Sequence, residues 1–291
     1  MLNTKLLSLA GLLTFWVASA APAGTISPGT FPYYFAIDSR TVIPSGTYVG
    51  LANPNHNRLT MLLNHYSHYH SIGSKTYSGP AASPTVVDSI NNRIPEYFSG
   101  QSPLDLTRSG PLGTGFYADK LVNNPFDPNP FPDDYSVIRF RAVDQLSGFA
   151  PGSDQNVLFT SSGNRWSASL AGANVRLELV AITPGLHVGT SANPFAMTQA
   201  GDSVVLGGAN LEFDPIFWTA GLDPINTPYS ASFQLFDDNG VYGQSGTFTF
   251  EFESTAVIPE PGSGVLATGG VALFLVGAIC RRFRLGRSAV N

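Results

Sequence analysis

Five histidines occur in 291 residues, and four of them, His56, His65, His68 and His70, fall within one stretch of fifteen. Imidazole ligates zinc, copper and nickel well, and it is neutral at the pH of most external media. His68 and His70 stand two apart, so on an extended strand they share a face. Two nitrogens from one strand face and a third ligand from elsewhere make a His-rich Zn²⁺ site. His187, in Thr183-Pro-Gly-Leu-His187-Val188, follows an expected strand and is the distant candidate. Glu96 and Asp88 are the acidic candidates for completing the shell. His56, in Asn-Pro-Asn-His-Asn, is the weakest member and reads as a solvated loop residue. Affinity order favours copper and availability favours zinc, which is the leading expectation. The competing reading is a polar loop whose tyrosines pack on a sheet edge.

Other constellations are thinner. His68-Tyr-His70 resembles the H-x-H of cupins, but Ser74 and Lys75 stand where that pattern wants glutamate, and Pro184-Gly-Leu-His187 only approximates its second half. No H-E-x-x-H, G-x-S-x-G or P-loop occurs. Asp127-Pro-Asn-Pro-Phe-Pro-Asp133-Asp134 could form a Ca²⁺ loop, though without EF-hand spacing. In Asp237-Asp-Asn-Gly240, turn chemistry already explains the residues. Tyr33, Tyr34, Trp166 and Trp218 could form a sugar platform, but such residues at strand positions are more often core.

The elements that must position these residues read as β. No long stretch keeps helical apolar spacing free of Gly and Pro. Period-two alternation recurs in Ser136–Val143, with Arg139 and Arg141 on the outer face, in Asn174–Ile182 and in Thr247–Glu253. Shorter strand candidates are Thr47–Leu51, Asn156–Thr160, Arg165–Leu170, Ser203–Leu206 and Leu211–Phe213. Asn239-Gly240 marks a hairpin. Many short strands between turn signals predict an all-β domain of β-sandwich or jelly-roll type. The proline-rich run from Ser71 to Asp134 reads as a long excursion on it, and loops of that length are functional or disordered.

Composition narrows the function classes. The chain has 15 Lys+Arg, 20 Asp+Glu and a formal net charge of −5, with 12% charged residues. No basic face for nucleic acid is available. Five of the cations lie at the ends: Lys5, Arg281, Arg282, Arg284 and Arg287. Ten remain in the body against nineteen acids once Glu260 is set aside, so the body carries −9 and favours cations.

The ends look like addresses. Residues 1–23 join Lys5, an apolar run from Leu6 to Val17 and small residues up to Ala23, the layout of a signal peptide cut by signal peptidase. Residues 257–291 carry Pro259-Glu260-Pro261, uncharged Gly262 to Cys280, and then Arg281-Arg282-Phe283-Arg284. The uncharged run is long enough to cross a bilayer, with the arginines left cytoplasmic. Between the ends lies one exported domain, 24–256, without cysteine, so it holds neither a disulfide nor a thiolate ligand.

The C-terminal pattern resembles a PEP-CTERM sorting signal. That resemblance implies a Gram-negative host, transient handling by an exosortase at the inner membrane, and a cell-surface or exopolysaccharide-associated destination. The body is also similar to PEP-CTERM proteins grouped by repression under a zinc-uptake regulator. The residues that carry this are Arg40-Thr-Val-Ile-Pro-Ser-Gly-Thr-Tyr48, His68-Tyr-His-Ser-Ile-Gly73, Tyr77-Ser-Gly-Pro-Ala81 and Asn91-Asn-Arg-Ile-Pro-Glu96. The similarity implies expression under zinc scarcity and no known activity. The expectation is therefore a non-enzymatic, exported metal binder; the alternative is a structural or carbohydrate-binding matrix protein.

Overall fold

The computed structural model describes residues 31–65, 68–108, 115–118, 120–123, 135, 137–220 and 224–255. The expected signal peptide, the sorting signal and the Asp127–Asp134 stretch lie outside these residues. Of the described residues, 42% are in strands or bridges and 8% are helical. In chain order the strands are β1 (Tyr33–Ile37), β2 (Leu59–His65), β3 (His68–Ile72), β4 (Lys75–Ser78), β5 (Thr85–Asp88), β6 (Arg93–Ile94), β7 (Leu104–Arg108) and β8 (Leu121–Val122). There follow β9 (Phe140–Ala142), β10 (Val175–Ile182), β11 (His187–Gly189), β12 (Ser203–Gly207), β13 (Glu212–Phe213), β14 (Ile216–Thr219), β15 (Pro228–Asp237) and β16 (Phe248–Thr255). The fold is all-β, as the alternation predicts.

Two large sheets share one core. The five-stranded sheet runs β13-β9-β1-β2-β3; the other runs β11-β14-β8-β7-β16-β15-β10-β12, with β6 also on β16. Both are mixed, because β1–β9, β16–β6 and β16–β7 are parallel pairs. A two-stranded hairpin, β4–β5, stands apart from them. Phe250 joins the sheets, its ring 5.8 Å from Tyr33 and 6.1 Å from Phe140. The far face of the five-stranded sheet is covered as well. Tyr34, Ala36, Leu62 and Tyr69 pack there on Val143, Leu146, Leu158 and Trp166. This double cover explains why every residue of β1 is buried, where a half-buried strand would alternate.

Several local expectations are corrected. Asn156–Thr160 is not a strand: Asp154–Phe159 is a helix, α1, whose N-cap Ser153 accepts from the Asn156 amide at 3.2 Å. Thr47–Leu51 and Arg165–Leu170 are turns and irregular chain. Arg141 does not face solvent. It is 3% exposed, donating to Asp214 at 2.7 Å beneath the Phe31 ring. The proline-rich run is no appendage either, because it supplies β7 and β8 to the interior of the larger sheet and β6 to its strand β16.

Candidate metal centre

β2 is buried from Leu59 to Asn64, and only its last residue, His65, reaches the rim. β3 is an edge strand, paired on one side alone. Their register sets Met61 opposite Ile72, Leu63 opposite His70 and His65 opposite His68. Opposed residues share a face. The three histidines therefore continue the face on which Met61, Leu63 and Ile72 enter the main core. Tyr69 points the other way, into the second cluster.

The acid comes from the opposite sheet. Glu96 lies two residues after β6, which pairs with β16, and its side chain is 2% exposed. His65 Nε2 stands 3.1 Å from its Oε2, and His70 Nδ1 stands 2.8 Å from its Oε1. The Tyr135 hydroxyl donates to Oε2 at 3.2 Å. Tyr135 is held in turn by Tyr33, whose hydroxyl donates to its carbonyl at 2.8 Å. Ligand atoms of His65, His70 and Glu96 all lie within 4.8 Å of one another, a group able to hold a metal ion. His68 sits outside it, its Nε2 3.2 Å from His70 Nε2.

Charge and burial compete at this site. Burial alone would raise the Glu96 carboxyl, but hydrogen bonds from His65 and His70 outweigh it and hold the group below its usual range. His68 is pushed down, first by desolvation and then by the neighbouring His70 and His65, against the pull of Glu96. A lowered imidazole keeps its ligating lone pair to lower pH. Two imidazoles and a carboxylate form a donor set that suits zinc, copper or nickel better than calcium or magnesium.

The remaining candidates go elsewhere. His187 lies on β11, its ring tilted at 32° and 4.5 Å from the Trp218 ring, with Phe195 at its edge. Burial lowers its pKa, and among the described residues its Nδ1 has no hydrogen-bond partner. Its setting is aromatic packing, and it takes no part in the His–Glu group. His56 is exposed, bridged through its backbone to Asp38. Asp88 pairs with Lys75 at 2.9 Å, which leaves Glu96 as the acid at the cluster. In the Asp237–Gly240 turn, Asp237 accepts backbone N–H groups from Asn174, Asn239, Val241 and Tyr242, so that carboxylate is consumed by the turn. Tyr33, Tyr34, Trp166 and Trp218 are all buried, not a sugar platform. Tyr135 had no signal in the sequence; it closes the proline-rich run and meets Glu96 only through the fold.

Fold and site together describe an all-β protein with a His–Glu cluster at the open edge between two sheets. No protein-family model matches the chain, and no curated protein or solved structure matches it.

Proposed function

We propose that this chain is an exported two-sheet β-sandwich protein that binds a transition metal ion, zinc foremost, through the His65/His68/His70/Glu96 cluster. It acts without catalysis, in metal capture or homeostasis outside the cell. Signal peptidase and an exosortase at the inner membrane handle its ends, and its destination is the surface of a Gram-negative cell. One observation carries the metal reading: a buried carboxylate is set between two imidazoles, with a third imidazole in contact. Buried ionised groups are costly unless compensated, and such a cluster at a solvent-facing edge is poised for a cation. The −9 charge of the body supports cation recruitment.

The test is the metal content of the purified chain after exposure to Zn²⁺ and desalting, beside a His65/His68/His70→Ala variant. About one ion per chain is expected in the parent and none in the variant. Equal content in both would refute the reading.

A further inference from the structure

His70 offers two nitrogens, and they face different partners. Nδ1 lies 2.8 Å from Glu96 Oε1 in the gap between the sheets, whereas Nε2 lies 3.2 Å from His68 Nε2 at the open edge. An ionised carboxylate only accepts hydrogen bonds, so the ring nitrogens touching it are donors. The proton of a neutral His70 therefore sits on Nδ1, and the lone pair sits on Nε2. The rings of His65 and His70 lie close, with centroids 4.0 Å apart and planes tilted by 34°, and one nitrogen of each meets the same carboxylate. That carboxylate already takes the contacts of both nitrogens, so an ion shared by them would have to displace it. Its withdrawal would break the contacts to both imidazoles and to Tyr135.

The outer side of His70 is better suited. Two nitrogens about 2.0–2.1 Å from a tetrahedral ion stand about 3.3 Å apart, and the Nε2 atoms of His68 and His70 already stand 3.2 Å apart. Their ring planes differ by 56°. A carboxylate behind a ligating histidine is the arrangement that fixes ring orientation and tautomer at metal sites.

Resting on the metal-binding role proposed above, we infer that the ion is held at the sheet edge by Nε2 of His68 and of His70. Glu96 is then a positioning residue that orients His70 from behind, and not a ligand. The ion is a divalent cation of borderline softness, since two imidazole nitrogens suit zinc, copper and nickel and not calcium or magnesium. His68 is exposed on an edge strand, so the other coordination positions open to water or to a donor brought by an acceptor molecule. A centre of that kind loads and unloads, whereas closed four-ligand sites are structural.

The experiment uses the full-length chain in a Cys280→Ser background, which removes the sole thiol. Zn²⁺ affinity is read by competition with a chromophoric chelator, and ¹⁵N imidazole spectra are recorded with and without Zn²⁺. Zinc should shift Nε2 of His68 and His70 and leave Nδ1 of His70 protonated. His68→Ala should weaken binding about 100-fold and Glu96→Gln about 10- to 100-fold, the range seen when an orienting partner is lost. Coordination in Glu96→Gln should remain through Nε2, and His56→Ala should match the parent. Loss of the Nδ1 proton of His70 on zinc binding overturns the inference, as does parental affinity in His68→Ala with binding lost in Glu96→Gln. The spectra of the parent chain decide the point even if Glu96→Gln folds poorly. A parent chain that takes up no zinc removes the metal-binding role itself, a different result from binding that survives His68→Ala.

Discussion

Glu96→Gln tests the buried carboxylate without any metal. The side chain accepts from Tyr135 and bonds to His65 and His70 while only 2% exposed. Hydrogen bonds to charged groups contribute about 1.5–3 kcal/mol and neutral ones about 0.5–1.5 kcal/mol. Glutamine keeps the shape but puts an NH2 donor in place of one acceptor oxygen, so the contacts at one end are lost and those at the other become neutral, at about 1 kcal/mol each. His65 and His70 are 15% and 32% exposed and can be partly rehydrated, which brings the loss to about 2 kcal/mol. In a domain of this size, 1 kcal/mol moves the melting temperature by about 2–4 °C, so the variant should melt about 4–8 °C lower at pH 7 in EDTA. The dependence on pH has a definite sign. A carboxyl depressed by folding contributes stability that is fully present above its unfolded value, about 4.3, and lost as pH falls through its folded value. The gap between the two proteins should therefore narrow in thermal scans below about pH 4. Coincident melting at pH 7, or a gap that keeps widening below about pH 4, would refute the arrangement.

Three further perturbations probe other parts of the molecule. Phe250→Ala should cost about 3–5 kcal/mol in guanidinium titrations, because its ring bridges the two sheets against Tyr33, Phe140 and Phe217; a loss below about 1 kcal/mol would mean that the sheets do not meet there. Asp38→Asn should cost about 3 kcal/mol by the same titration, since this fully buried carboxylate pairs with Arg165 and accepts from Asn53 and the Arg40 amide; an unchanged midpoint would count against that network. His187→Ala should leave zinc content unchanged but alter Trp218 fluorescence, because the two ring centroids lie 4.5 Å apart; loss of zinc would return His187 to the site.

Legibility in the sequence followed the contrast between faces. β16 alternates buried and half-buried over its whole length, and the phenylalanines of Thr247–Glu253 announce it. β10 follows its pattern as far as Leu179. A register shift between Leu179 and Ala181 then exposes Val180 and Ala181, and bulges leave little trace in composition. Arg141 misled because its charge is neutralised by Asp214, a partner remote in sequence. β6, β7 and β8 were hidden by the prolines around them, and β6 and β7 also by parallel pairing that local propensity does not encode. At the site, spacing alone showed that His68 and His70 share a face, and Glu96 was one of two acids singled out. What spacing could not supply was the cross-strand partnership of His65, the Tyr135 hydroxyl, or the distance that keeps His187 away. Each of these depends on how the two sheets come together.

The place of β16 also sets the order in which the molecule can be made. This last described strand lies inside the larger sheet, between β15 and β7, and carries Phe248, Phe250 and Phe252 into the shared core. Until it has emerged, β6 has no strand to pair with, β7 has only β8, and Glu96 has no frame to hold it against the histidines. Folding therefore waits for nearly the whole chain, and it must then close contacts between residues more than a hundred positions apart, the slow regime for β proteins. If the chain is exported as proposed above, that delay would keep it unfolded while it is in transit.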